Sequence, residues 1–439
     1  MDTDIAIIGN GCAARSAMET IRQSGFKGRV DAFSASSLPA YNPMLTTYFL
    51  SGKITSDQLL QSSDDDFYAK NEIRLHLDTP IAALDADKKI IRDISGNSCH
   101  YESCLIASGA APFVPPIGGA TENGVFVVRT AEDVLKIRAY MDSHPVHSAL
   151  VVGASMVGIK VAEYLLQENI VCCLADGAGG IFPLSAHPHC QTLIQASLLR
   201  QGLKLRFGGN IVRIARRQDG LAAFFSDSQE PLLADVIFLC IGVRPRLSFL
   251  SSTGPAVKGG ILVDDKMRTS CRDLYAAGDC TAGYDLYYHD KRVIGLLANA
   301  RLQGRTAGRN MAGGNDSYCG STAHNITHFM DMDFVSIGNP LAQGQVFEQV
   351  LKNERYIRLV WDKERLLSVN LLNMKEIAGV LKHLFLKTAG GGPGTPSTIA
   401  GEDLPAADPD ISGAVPGSAA MSLDYREFAR NIIKKYMNE

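Results

Sequence analysis

Short apolar runs that stop at glycine and then give way to helical spacing recur along this chain. The first is Ile5 to Ile8, followed by Gly9, Gly11 and the stretch CAARSAMETIR. An unbroken apolar run of that length predicts a strand covered on both faces, and the glycine turn predicts a helix packed back on the sheet. Ala149 to Val152 repeats the pattern, with Gly153, Ser155 and Gly158 in the turn and a helix through about Gln167. ENIVCCLAD predicts the next strand, ending at Asp176, and SCRDLYAAGDC, residues 270–280, places another before Gly278 and Asp279. From about 321 to 387 the rhythm changes to short β-like runs such as RYIRLVW and LLSVNLL, closing on a helix, EIAGVLKHLFL. Residues 388–421 are too rich in Gly, Pro, Ala and Ser to bury a core, which predicts a flexible linker. Helical spacing resumes at 422–439, where Ser422 can cap a helix and Leu423, Phe428, Ile432, Ile433 and Tyr436 form an apolar stripe, the mark of an amphipathic docking helix.

Composition narrows the picture without deciding it. A chain of 439 residues is long for one domain, and 46% hydrophobic with 20% charged residues fits a globular fold. A formal net charge of −3 gives no reason to expect nucleic acid or an anionic membrane as partner. The opening MDTDIAIIGNG, with two acids and a brief apolar run, predicts neither a signal peptide nor a membrane span. The ten cysteines contain no C-x-x-C, which predicts free thiols in a reducing cytoplasm and neither a metal site nor an iron–sulfur cluster within the chain.

Candidate chemistry lies in the glycine turns. Gly9 and Gly11 let the backbone approach a phosphate, Ala14 is small enough for close helix packing, and the helix start offers free N–H groups and the positive end of its dipole. The same device at Gly153, Ser155 and Gly158 suggests a second dinucleotide. Asp176 lies about twenty residues beyond that turn, where a carboxylate accepts from a ribose 2′-OH and repels a 2′-phosphate, so NAD is expected rather than NADP. Ser155 is small enough for the turn, and its hydroxyl is expected to donate to a phosphate oxygen.

The motifs IIGNGCAA, YNPMLTTYFLSGK, LIASGAAP, VVRTAEDV, VVGASMVGIKVAE, FLCIGVRP, LYAAGDC and ANARLQGRTAGRNMAG occur in series. In that order the chain resembles, from residue 1 to about 385, the pyridine nucleotide–disulfide reductase superfamily of two-dinucleotide-binding flavoproteins. Within it the chain looks most similar to rubredoxin reductases and the flavin region of nitrite reductase large subunits. The resemblance implies an α/β fold with two Rossmann-like domains, a small α+β C-terminal interface domain and the tethered terminal helix. The FAD domain would comprise 1–113 and 245–320, the NAD domain 114–244 and the interface domain 321–387. It implies FAD held by Gly9, Gly11 and Ala14, approached by Ser108, Gly109 and Arg129, and bonded at its ribityl chain by Asp279, behind Gly278. The helix opening at Leu297 to Ala300 would face the pyrimidine end of the flavin. Ile81 would meet adenine through its backbone, and Tyr41, Asn42 and Pro43 belong to the segment that crosses the flavin in relatives. Gly153, Ser155, Gly158, Asp176 and Gly242 would line the NAD site.

Three departures from that pattern matter. The second strand of the FAD domain, which usually ends in an acid, runs into DAFSASS, so Ser34 or Ser36 is expected to meet the ribose. Relatives that reduce disulfides or peroxides carry a reactive cysteine over the flavin, but none occurs from Val30 to Gly52, and Met44 stands about where one relative class has it. Finally, Pro43 replaces a cation of the FAD loop and Lys160 replaces a glutamate of the NAD helix. The negative charge is therefore expected to be missing there. Lys160 either supplies the catalytic cation beside the flavin or snorkels to solvent. The implied activity is hydride transfer from NADH to FAD, then electron release to a protein redox partner or a small organic acceptor, by a homo-oligomer or a subunit of a larger redox complex. A redox-sensing regulatory module and the flavin subunit of an amine- or amino-acid-oxidising complex remain as alternatives.

Overall fold

The computed structural model describes residues 1–61, 66–218 and 220–389. Two compact units emerge among the described residues: 1–183 with 191–323, and 184–190 with 324–389. The linker expected at 388–421, apart from its first two positions, and the docking helix expected at 422–439 lie outside the described residues.

The first unit holds two parallel sheets. Strands β1 (Asp2–Ile8), β2 (Val30–Phe33), β3 (Ile73–His76) and β4 (Ser98–Ile106) run in the order β3-β2-β1-β4. A strand from much later in the chain, Leu274–Ala276, pairs in parallel with the end of β4. Ile5 to Ile8 are buried, which explains why β1 reads as a continuous apolar run. Strands Ile81–Asp85 and Ile90–Asp93 extend the sheet in antiparallel fashion from the early half of β4. Helix α1 (Cys12–Gln23) leaves the first glycine turn, and the short helix α2 (Thr46–Leu50) lies in the loop between β2 and β3.

The second sheet comprises β5 (Val125–Val127), β6 (Ser148–Val152), β7 (Val171–Asp176), β8 (Lys204–Phe207) and β9 (Val236–Leu239), all parallel, in the order β8-β7-β6-β9-β5. Helix α3 (Ala131–Ser143) follows β5, and α4 (Met156–Gln167) follows the second glycine turn. A three-stranded antiparallel sheet, 211–234, covers one face through Ile214, Leu221 and Phe225 against Leu150 and Val152. Helix α5 (Leu297–Met311) returns to the first sheet and lies on α1. The approach is close because α5 carries Gly304 and Gly308 opposite the backbones of Ala13 and Ala17; a Cβ at either glycine would meet those carbonyls. Glycine within a helix costs roughly 0.5–1 kcal/mol relative to alanine, so tight packing is what these positions gain.

The second unit is a five-stranded antiparallel sheet: β10 (His324–Phe329), β11 (Met332–Gly338), β12 (Gln345–Val350), β13 (Tyr356–Asp362) and β14 (Arg365–Leu372), ordered β10-β11-β14-β13-β12, with helix α6 (Ala378–Ala389) packed on β14. Register aligns Ser336, Asn370, Arg358 and Glu348 in one polar row. Residues 184–190 bind along it: Ser336 Oγ donates to Ser185 O at 2.6 Å, His187 N to Asn370 Oδ1 at 2.6 Å, and His189 Nδ1 lies 2.6 Å from Glu348 Oε1. Burial raises the Glu348 carboxyl, but its hydrogen bonds to His189 and Tyr356 outweigh that and leave it below the ordinary value.

Candidate functional site

The first glycine turn sits where three strand ends converge. Gly9 N donates to Phe33 O at 2.8 Å, and Ala107 N donates to Ile8 O at 2.8 Å. Gly9 has φ +115°, and a side chain there would run into the Ala107 carbonyl, so only glycine fits. Gly11 is the N-cap of α1; no side chain caps the helix and no acid occupies its first turn. Those first N–H groups, with the dipole behind them, are left available to an anion. Asn10 accepts from Tyr68 OH at 2.8 Å while its buried Nδ2 has no partner, an orphaned donor beside the same turn. Ala14 is fully buried beneath it.

Other expected residues gather around this turn. A side chain at Gly278 would crowd the Ala13 methyl, and the Gly278 N–H donates to Gln303 Oε1 at 2.8 Å. Asp279 pairs with Arg129 at 2.7 Å. Helix α5 begins at Leu297, again with no side-chain cap and no acid in its first turn. Two uncapped helix starts, an orphaned amide and a glycine cradle fit a dinucleotide such as FAD. Ser108 Oγ donates to Arg246 O at 2.8 Å, with Gly109 next in the turn. Tyr41 OH accepts from Ala131 N at 2.8 Å, Asn42 caps a 3-10 turn by accepting from Met44 N, and Pro43 opens that turn. Ile81 begins the antiparallel extension, paired with Asp93, two positions beyond Thr79, whose N–H donates to Ser34 O at 2.7 Å. Ser34 Oγ accepts from Ser36 N at 3.2 Å, while the Ser36 hydroxyl donates to Glu132. Sequence reasoning did not single out Glu132.

The second turn repeats the backbone logic at the end of β6. Gly153 has φ +113° and abuts the Cys240 carbonyl, and Gly158 abuts Gly153 O. The structure adds to the expectation for Ser155: its hydroxyl caps α4, accepting from Gly158 N at 3.2 Å, and donates to Cys240 O at 3.0 Å. Asp176 accepts from Ala154 N at 2.7 Å and Ala178 N at 2.8 Å, which pins its carboxylate beside the turn. Gly242, φ +100°, follows β9 into open space.

Lys160 corrects an expectation. Its side chain is only 14% exposed and does not snorkel: Nζ lies 2.8 Å from Glu163 Oε2. The negative charge expected to be missing is present one helical turn along α4. The other oxygen of Glu163 lies 3.9 Å from Lys53 Nζ, so one carboxylate stands between two ammonium groups. Both cations lie over the Tyr48 ring, at 5.8 Å and 6.0 Å from its centroid. With Thr47 and Ser51 these residues line a small opening where α2 meets α4. The i,i+3 spacing of Lys160 and Glu163 was the available sequence signal.

All ten cysteines are free, and burial pushes every thiol above its ordinary pKa, Cys99 to about 11 and Cys240 to about 12. For Cys12, at the start of α1, burial outweighs the lowering effect of Arg301. Burial of this kind disfavours the nucleophilic thiolate.

Comparison with known proteins agrees with this geometry. The model of a family described as pyridine nucleotide-disulphide oxidoreductase matches residues 3–304. The NADH-dependent phenylglyoxylate dehydrogenase subunit epsilon of Aromatoleum evansii is 28% identical over 394 residues, covering 88% of this chain and 92% of that one. A rubredoxin-NAD(+) reductase of Pseudomonas putida is 25% identical over 390 residues, 86% and 97% of the two chains. Among solved structures, the water-forming NADH oxidase of Lactobacillus brevis bound to NADH superposes with a TM-score of 0.81 at 22% identity, covering 88% of this chain and 91% of that one, a likeness of fold.

Proposed function

This chain belongs to the pyridine nucleotide-disulphide oxidoreductase family, and from that premise we propose that it is an FAD-dependent NADH oxidoreductase that exchanges electrons with a protein redox partner as a subunit of a larger assembly. The observation that carries the reading is the pair of glycine turns, one at the carboxyl edge of each parallel sheet, within one compact unit. Bound FAD supplies hydride acceptance and one- or two-electron release.

The residues divide the remaining work. The turn at Gly9 and Gly11 would take the FAD pyrophosphate, with the Asn10 amide donating to it. Arg129 and Asp279, already paired, would fix the chain between pyrophosphate and flavin, and the start of α5 would set positive dipole against the ring. Gly153, Gly158 and Asp176 would take the adenosine half of NADH, the carboxylate disfavouring a 2′-phosphate. Lys160, held by Glu163, would supply positive charge at the opening between α2 and α4.

Raised thiol pKa values favour a redox partner over disulfide or persulfide chemistry, and ten unbonded thiols suit a reducing cytoplasm. Near full-length similarity to a dehydrogenase subunit supports the subunit reading. The test is an acceptor panel with NADH as reductant. Reduction of an iron–sulfur protein well above the rates with glutathione disulfide, polysulfide and peroxide is expected. Preference for any of the sulfur or peroxide acceptors overturns the partner assignment.

A further inference from the structure

The sheet of the first glycine turn ends without the acid that such sheets place near a ribose. Beyond Phe33 the chain reads Ser34-Ala35-Ser36, at the edge where a carboxylate about twenty residues past the glycines takes the ribose hydroxyls of adenosine. The edge is at the turn itself, since Gly9 N donates to Phe33 O at 2.8 Å. A carboxylate reaches this place from another element. The hydroxyl of Ser36 donates to Oε1 of Glu132, in the first turn of α3. The loop is fixed to α3 again at Tyr41, whose hydroxyl accepts from Ala131 N at 2.8 Å.

Asp78 lies at the same edge through its N–H, which donates to Ser36 O at 3.1 Å, but its side chain is exposed, and two further acids are already committed. Asp133, not Glu132, closes the capping box of α3, accepting from Thr130 N at 2.9 Å and Arg129 N at 3.1 Å. Arg129 turns its guanidinium to Asp279 at 2.7 Å. Glu132 is therefore outside both the cap and that ion pair. A carboxylate offers about four acceptor positions, of which the Ser36 hydroxyl takes one.

We propose that Glu132 is the ribose-binding acid of the FAD site, delivered from α3 to the strand edge that β2 leaves without one. The inference rests on the flavin reading above and adds the residue that recognises the adenosine diol. The alternative is a structural role, a first-turn acid that favours the helix dipole and tethers the loop.

A ligand-side comparison separates the two. Deflavinated protein is titrated with FAD and with FAD lacking the adenosine 2′-hydroxyl, and dissociation constants are read from flavin fluorescence. Wild-type protein is expected to prefer FAD by about tenfold or more, the scale of a hydrogen bond to a charged group. Glu132→Gln should lose most of that preference, with FAD weakened and the deoxy analogue nearly unchanged. Glu132→Asp keeps the charge at the helix start and shortens the reach, so it should lose the preference while α3 stays folded. Equal weakening of both ligands, or no preference in the wild type, overturns the inference while the flavin reading stands. Wild-type protein that takes up neither ligand overturns both.

Discussion

The carboxylate of Glu163, between Lys53 and Lys160, shows how one side chain alters the meaning of another. Alone, Lys160 is an isolated cation on the second nucleotide-turn helix; paired, it is a positioned cation with one ammonium in excess across the trio. Replacing Lys160 with methionine should lower the flavin midpoint potential and slow reduction by NADH about tenfold, as loss of a charge-assisted contact of roughly 1.5–3 kcal/mol implies. Stopped-flow traces under anaerobic conditions measure it. Tyr41 offers a test by pH. Burial first of all raises its phenol from 10.0 to about 12. A raised phenol keeps its proton in the folded state while the unfolded state loses it, so the contribution is complete below about pH 10 and lost as pH rises through about 12. Spectrophotometric titration of wild type minus Tyr41→Phe should therefore show its phenolate only near the upper value. Ser155→Ala removes a helix cap and should cost about 1 kcal/mol of stability, seen as a lower Tm, with a smaller loss for Ser155→Gly.

At the scale of elements, the close seating of α5 on α1 is the most exposed to substitution. Gly304→Ala places a methyl against the Ala13 carbonyl, and overpacking of this kind costs roughly 1–3 kcal/mol. Thermal unfolding should register that loss, together with weaker flavin retention, because α1 carries the first turn. Strands β1, β6 and β7 were legible because both their faces are covered, so the apolar run reports the burial directly. The glycine turns were legible for the same kind of reason: backbone geometry at Gly9 and Gly153 admits no other residue. What escaped sequence reading depends on partners far along the chain. Residues 184–190 join the C-terminal sheet through the Ser185 carbonyl and the His187 N–H, main-chain groups that leave no mark in residue type. Glu132 reaches Ser36 across 96 positions, and no local spacing announces such a bond. The Cys240 carbonyl that accepts from the Ser155 hydroxyl is equally remote in sequence.

The whole molecule is organised by an interruption. The first parallel sheet is completed by Leu274–Ala276 only after the second sheet has been built, so both glycine turns belong to one compact unit, while the antiparallel sheet forms another. Among the described residues no helix is long and apolar enough to cross a membrane, and no cluster of His, Cys, Asp and Glu is suited to a metal ion. The redox chemistry proposed for the chain rests on the two glycine turns, which share one compact unit. The most direct test is a single anaerobic titration of the purified protein with NADH, followed by its visible spectrum. The account predicts one FAD per chain, bleached by one equivalent of NADH and far less readily by NADPH. Protein that carries FAD yet keeps its oxidised spectrum through excess NADH, or folded protein that binds no flavin, contradicts it.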